Sequence, residues 1–292
     1  MSRDRGTLAS RLLLASRPLS WVNTAYPFAA AYLLAGGRLD AAFIVGTVFF
    51  LIPYNLAMYG INDVFDHESD IRNPRKGGAE GALLDPSAHR GVIAWSIGLS
   101  VPCLIALVLL GSPASWAVLA VSCFAVVAYS VPSLRFKEIP VLDSITSSTH
   151  FVSPAVYALV LVGAAWDWQL AAILVAFFLW GAASHAFGAV QDVVPDREGG
   201  LASIATVLGA ASTVRLAMGL WLAAGVFVLV LPFPALLSSL LVLPYLWLAW
   251  PYRSVTDAES GTANRAWRRF LAVNYIVGFL LTMLILWIVL AP

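Results

Sequence analysis

The chain has 292 residues, 60% of them hydrophobic and 11% charged, with a formal net charge of +1 and a mean hydropathy of +0.84. A soluble domain carries about 25% charged residues, and a water-exposed globule of this size has no way to hide so much apolar surface. The composition therefore excludes a soluble enzyme, a secreted disulfide scaffold and a disordered chain, and predicts an all-α polytopic membrane protein.

A bilayer-spanning helix needs about 20 mostly apolar residues. With that ruler, and with proline, glycine and charge runs as punctuation, nine transmembrane helices are predicted. In chain order they are 21–36, 41–61, 91–110, 114–131, 141–162, 170–191, 214–231, 235–250 and 270–290. Tight hairpins at 35–40, 111–113, 163–168 and 232–234 alternate with long polar loops. The expected organisation is one integral-membrane domain over 1–292, with four-helix halves at about 19–131 and 141–251 and a ninth helix at about 270–290.

Basic residues set the expected orientation. Of the 17 lysines and arginines, 16 fall before the first span or in the loops on that same side, and Arg38 alone falls opposite. The positive-inside bias then places the N-terminus and the long loops in the cytoplasm and the C-terminus outside the cell membrane. Residues 1–18 are basic but lack the cleavage pattern of a signal peptide. Cys103 and Cys123 fall inside spans, match no zinc or redox spacing, and read as packing residues.

Spans two and six both end in carboxylates on the predicted cytoplasmic side. The first stretch, 62–70, reads NDVFDHESD, and the second, 191–198, reads QDVVPDRE. If the helix runs on, Asn62, Asp66 and Asp70 share one face at i, i+4 and i+8, with Asp63 bordering it. Asp192 and Asp196 repeat the i, i+4 spacing, although Pro195 should end or kink the helix there. Like charges so spaced repel, and at a membrane boundary they are poorly solvated. All-oxygen donors without cysteine favour Mg2+, a cation usually held by a few carboxylates together with substrate phosphates. Arg72, Arg75 and Lys76 follow the first cluster and Arg197 the second; they serve either the charge bias of the loops or the oxygens of a diphosphate.

At these residues the chain resembles the UbiA superfamily of intramembrane prenyltransferases. Residues 62–70 match an N-D-x-x-D-x-x-x-D motif and Asp192 with Asp196 a D-x-x-x-D motif. The stretch 129–137 (YSVPSLRFK) is similar to the family's tyrosine–proline–basic loop, and Arg17-Pro18 to the segment before its first helix. The resemblance implies a nine-helix bundle around a central cavity capped by cytoplasmic loops, in which Mg2+ ions hold a prenyl diphosphate. It implies Asn62, Asp63, Asp66, Asp70, Asp192 and Asp196 as metal ligands, with Asp66, Asp192 and Asp196 essential to catalysis. Arg72, Arg75, Lys76, Lys137 and Arg17 become diphosphate contacts, and Tyr129 faces the developing cation or bonds the diphosphate. The loops 62–78 and 191–209 are similar to a carotenoid-directed subgroup, the lycopene elongases. That similarity implies dimethylallyl diphosphate as donor and lycopene as the hydrophobic acceptor.

Polar groups within the spans are few: Asn55, Thr146, Ser147, Ser148, Thr149, His150, Ser184 and His185. That inventory suits a hydrocarbon acceptor better than a benzoate. His150 and His185 either accept the final proton or are satisfied by neighbouring helices. Asp143 either opens the fifth helix or reaches the active mouth. The same chemistry on an aromatic quinone precursor, a pigment or a glycerolipid is the nearest alternative. A cation transporter is a distant one, because its acids should lie at mid-membrane depth. Nothing in one chain excludes a partner subunit, and no feature points to nucleic acid.

Overall fold

A computed structural model describes residues 7–71 and 83–290. Among them every regular element is a helix. The fourteen α-helices are α1 (Leu8–Ala15), α2 (Val22–Leu34), α3 (Ala41–Leu51), α4 (Pro53–Phe65), α5 (His67–Asp70), α6 (Pro86–Leu110), α7 (Pro113–Ser130), α8 (Leu142–Leu161), α9 (Trp168–Val190), α10 (Val193–Glu198), α11 (Ile204–Leu208), α12 (Ala210–Phe227), α13 (Leu243–Ala249) and α14 (Asn264–Leu290). Backbone groups in hydrocarbon must be satisfied within the segment, and helices do that.

Each of the nine predicted spans meets a helical run, and seven helical runs among the described residues are long and apolar enough to cross a membrane. The other two fall short for different reasons. The 13 residues of α2 make about 20 Å of helix, less than the hydrocarbon thickness. The 20 residues of α8 suffice in length, but Asp143, Ser144, Thr146, Ser147, Ser148, Thr149 and His150 crowd its first half with polar groups.

The chain divides into two compact units. The first is Met1–Phe136 with Thr149–Ala165, and the second is Lys137–Ser148 with Trp166–Pro292, so α8 contributes to both. In the first unit α4 lies against α6, α7 and α1, and α2 against α3. Its core packs Phe28, Phe49, Phe50, Tyr54 and Tyr157 in stacked, tilted and edge-on pairs. In the second unit α9 and α12 form the main pair around Phe187, Trp221, Tyr245 and Phe270. Small residues allow the close approaches. A Cβ on Gly181 of α9 would sit 2.5 Å from Ser148 Oγ on α8, and Ser148 donates to the Phe178 carbonyl at 2.6 Å.

The second predicted span is two helices. Pro53 lacks the N–H that would continue the ladder, and its ring crowds the preceding turn, so α3 stops at Leu51 and α4 restarts at Pro53. Asn55, fully buried, closes the gap. Its Nδ2 donates to the carbonyls of Phe50 (2.8 Å) and Leu51 (3.0 Å) and to Thr24 Oγ1 (2.7 Å), while Thr24 donates to the Phe50 carbonyl at 2.6 Å. Side chains thus recover the backbone groups a proline frees in an apolar medium.

Candidate active site

The first acid motif straddles the end of α4. The helix proper stops at Phe65 and Asp66 caps it, yet Asp66 N–H donates to the Asn62 carbonyl (2.9 Å) and Asp70 N–H to the Asp66 carbonyl (2.8 Å). Helical pairing therefore runs on into α5 and preserves the i, i+4, i+8 register of Asn62, Asp66 and Asp70. Asp63, Asp66 and Asp70 are all buried, and buried carboxylates demand positive partners.

Two arginines meet them, both from backbone in the left-handed region. Arg17 (φ 50°) places Nη2 2.7 Å from Asp63 Oδ1 and lies over the Tyr59 ring at 4.3 Å. Burial opposes its charge, and Asp63 followed by Tyr59 more than offsets this, so the Arg17 pKa is raised. Arg135 (φ 41°) brings Nη2 to 3.7 Å from Asp66 Oδ1. A left-handed non-glycine residue costs energy and persists where surroundings enforce it, often at functional sites.

The end of α7 completes the setting. Ser130 Oγ donates to Asn62 Oδ1 at 3.0 Å. The Tyr129 ring stands edge-on to buried His150 at 5.4 Å, and His150 is edge-on to Tyr54 at 6.5 Å. Sequence reasoning passed over two of these residues. Arg135 belongs to the stretch 129–137 but only Lys137 was expected to act, and nothing local marks Ser130 as the partner of a residue 68 positions away.

In the second unit, α9 ends at Val190 and Asp192 heads α10. Pro195 sits in the first turn of α10, where its missing N–H costs nothing, so the expected helix break falls at Gln191–Asp192. Gln191, buried, receives a hydrogen bond from Asn264 Nδ2 (2.7 Å) and donates to the Gly188 carbonyl (2.9 Å), which fixes the turn. Asp192 and Asp196 are half-buried, and Asp196 N–H donates to the Asp192 carbonyl at 2.8 Å. Arg197 is turned to structural work, bonding the Thr206 carbonyl (2.6 and 3.1 Å) and Asp257 (2.6 Å).

Lys137 is half-buried on the single helical turn Phe136–Glu138. Asp143 is fully buried and accepts from Ser144 N–H (2.6 Å) and Ile204 N–H (2.7 Å), tying the start of α8 to the start of α11. Ser144 Oγ lies 3.1 Å from His185 Nδ1. Arg72, Arg75 and Lys76 lie outside the described residues.

These side chains suit magnesium chemically. Each acid cluster offers hard oxygen donors at helical spacing, and Mg2+ takes one or two carboxylates plus substrate phosphates in preference to an all-protein cage. Among the described residues no group of three or more His, Cys, Asp or Glu is arranged to hold an ion unaided, so any ion here needs further ligands from substrate or water.

Two acid motifs in this register, with aromatic and basic side chains beside the first, bear on the comparison with known proteins. The model of the UbiA prenyltransferase family matches residues 24–275. The chain belongs to this family. It is an integral membrane protein and a prenyltransferase of the all-helical UbiA class. Among relatives, it is 54% identical over 284 residues to the C(50) beta-cyclic carotenoids biosynthesis protein LbtBC of Dietzia sp., covering 97% of this chain and 66% of that protein. It is 52% identical over 276 residues to the lycopene elongase/hydratase of Corynebacterium glutamicum, covering 94% of this chain and 96% of that one. Among solved structures it resembles a UbiA homolog from Archaeoglobus fulgidus bound to DMAPP and Mg2+, with TM-score 0.66 and 18% identity over 91% of this chain and 98% of that chain. At that identity the structural likeness speaks for the fold.

Proposed function

We propose that this family member transfers a dimethylallyl group from its diphosphate to an end of lycopene, in a Mg2+-dependent step of long-chain carotenoid synthesis. The observation that carries this reading is the 52% identity, across 94% of this chain and 96% of the other, to a lycopene elongase/hydratase. The scarcity of polar side chains within the spans supports a hydrocarbon acceptor. Those present are largely engaged with backbone, as Asn55, Ser148 and Ser184 are.

In this reading Asn62, Asp66 and Asp70 on one motif, and Asp192 and Asp196 on the other, hold the metal and through it the diphosphate. Mg2+ supplies Lewis-acid stabilisation of the negative charge that collects on the leaving diphosphate. Asp63 is committed to Arg17, so its part is to position that guanidinium at the site's edge. Arg135 and Lys137, with Arg72, Arg75 and Lys76, take phosphate oxygens, the arginines by paired N–H donors and the lysines as point charges. The Tyr129 ring offers its electron-rich face to the allylic cation, worth about 0.5–2 kcal/mol. An apolar surround keeps water from that cation until the acceptor's double bond attacks. The bias of basic residues toward one set of loops supports an N-terminus and acid motifs on the cytoplasmic side.

The test is incubation of membranes carrying the chain with radiolabelled dimethylallyl diphosphate, Mg2+ and lycopene. Label should appear in a carotenoid lengthened by five carbons, vanish with EDTA and return with added Mg2+. Label in a phenolic or glycerolipid acceptor, or turnover untouched by EDTA, overturns the proposal.

A further inference from the structure

Beside the first acid motif, and outside the groups used above, two imidazoles meet. His67, on α5, and His89, on α6, have ring centroids 4.9 Å apart at an interplanar angle of 77°. Within the pair, His67 Nδ1 and His89 Nε2 are buried and have no hydrogen-bond partner among the described residues. An unsatisfied buried ring nitrogen is costly, and two in contacting rings is an unusual expense for packing alone.

The spacing fits. An ion held at about 2.1 Å by two imidazole nitrogens, at an angle between octahedral and tetrahedral, separates the ring centroids by roughly 4.5–5.2 Å. Both histidines are partly exposed as residues, although these two nitrogens are buried. Two nitrogens are fewer than a closed structural site requires, so water completes the coordination.

We propose that His67 and His89 form a binding site for a borderline transition-metal dication of the Zn2+, Ni2+ or Cu2+ type, distinct from the oxygen-donor Mg2+ site of the proposed reaction. Ligand chemistry separates the two: imidazole selects these ions, whereas carboxylate, carbonyl and water select Mg2+. The site depends only on the two rings and stands whether or not the acceptor is lycopene.

The experiment is equilibrium binding of Zn2+ alone to the purified full chain in detergent, with millimolar Mg2+ present to fill oxygen sites. Wild type should bind one Zn2+ per chain. His89→Phe, which keeps an edge-on ring, and His67→Phe should each weaken this at least tenfold. Asp192→Asn, which the proposed reaction needs, should bind Zn2+ as wild type does, so lost turnover in that variant bears on the reaction and not on this site. In case a histidine variant fails to fold, Cu2+ bound to wild type should give an electron paramagnetic resonance spectrum split by two nitrogens. Unchanged Zn2+ affinity in folded His89→Phe, or an oxygen-only Cu2+ spectrum, overturns the proposal.

Discussion

Asp63 and Asp66 stand one turn apart on the same motif, yet each meets a different arginine on different terms. Asp63 is sealed from solvent and bound to Arg17 at 2.7 Å, whereas Asp66 keeps some exposure and meets Arg135 only at 3.7 Å. Removing one partner of a buried pair leaves an uncompensated charge, while removing both is often near neutral. Arg17→Met should therefore destabilise the protein by about 3–5 kcal/mol, and adding Asp63→Leu should recover most of that, as read by denaturant titration in detergent. A single substitution without effect would mean the pair is dispensable to the fold. Asn55 is a parallel case. Asn55→Leu removes the amide whose two N–H groups serve Thr24 and the two carbonyls at the proline break and should cost about 1–3 kcal/mol, measured the same way. The sequence marked Asn55 as an unusual polar group within a span, but its partners, Thr24 and the carbonyls before Pro53, become visible only once α2 and α3 pack.

At the scale of elements, every predicted apolar run meets a helix, because a bilayer imposes length and apolarity on anything that crosses it, while the short helices α1, α5, α10 and α11 carry no such signal. The acid motifs were equally legible, since their spacing is a local property that α4, α5 and α10 preserve. What local pattern left hidden depends on distant partners. The break at Pro53 is closed from Thr24 on α2, 31 positions from Asn55, and the link from Ser130 to Asn62 joins residues 68 positions apart. In sequence Asp143 reads either as the opening of the fifth helix or as a group at the active mouth. In the structure Asp143 anchors α11 through the Ile204 N–H, and Ser148 holds α9 through the Phe178 carbonyl. The close approach at Gly181 makes that packing testable. Gly181→Leu has no room beside Ser148 and should destabilise the α8–α9 contact by about 1–3 kcal/mol, lowering the thermal midpoint in detergent. An unchanged midpoint would mean the helices separate freely there.

For the whole molecule, the proposed reaction requires both acid motifs for Mg2+-dependent binding of the diphosphate donor. Independent sites give additive losses when each is damaged, whereas groups that share one ligand do not. The most direct measurement is Mg2+-dependent binding of a non-reacting thiolo analogue of dimethylallyl diphosphate to wild type, Asp66→Asn, Asp192→Asn and the double variant. The account predicts that each single substitution weakens binding on the order of 10–100-fold and that the double is little worse than either single. Wild-type affinity in either single variant, or a fully additive loss in the double, would contradict it.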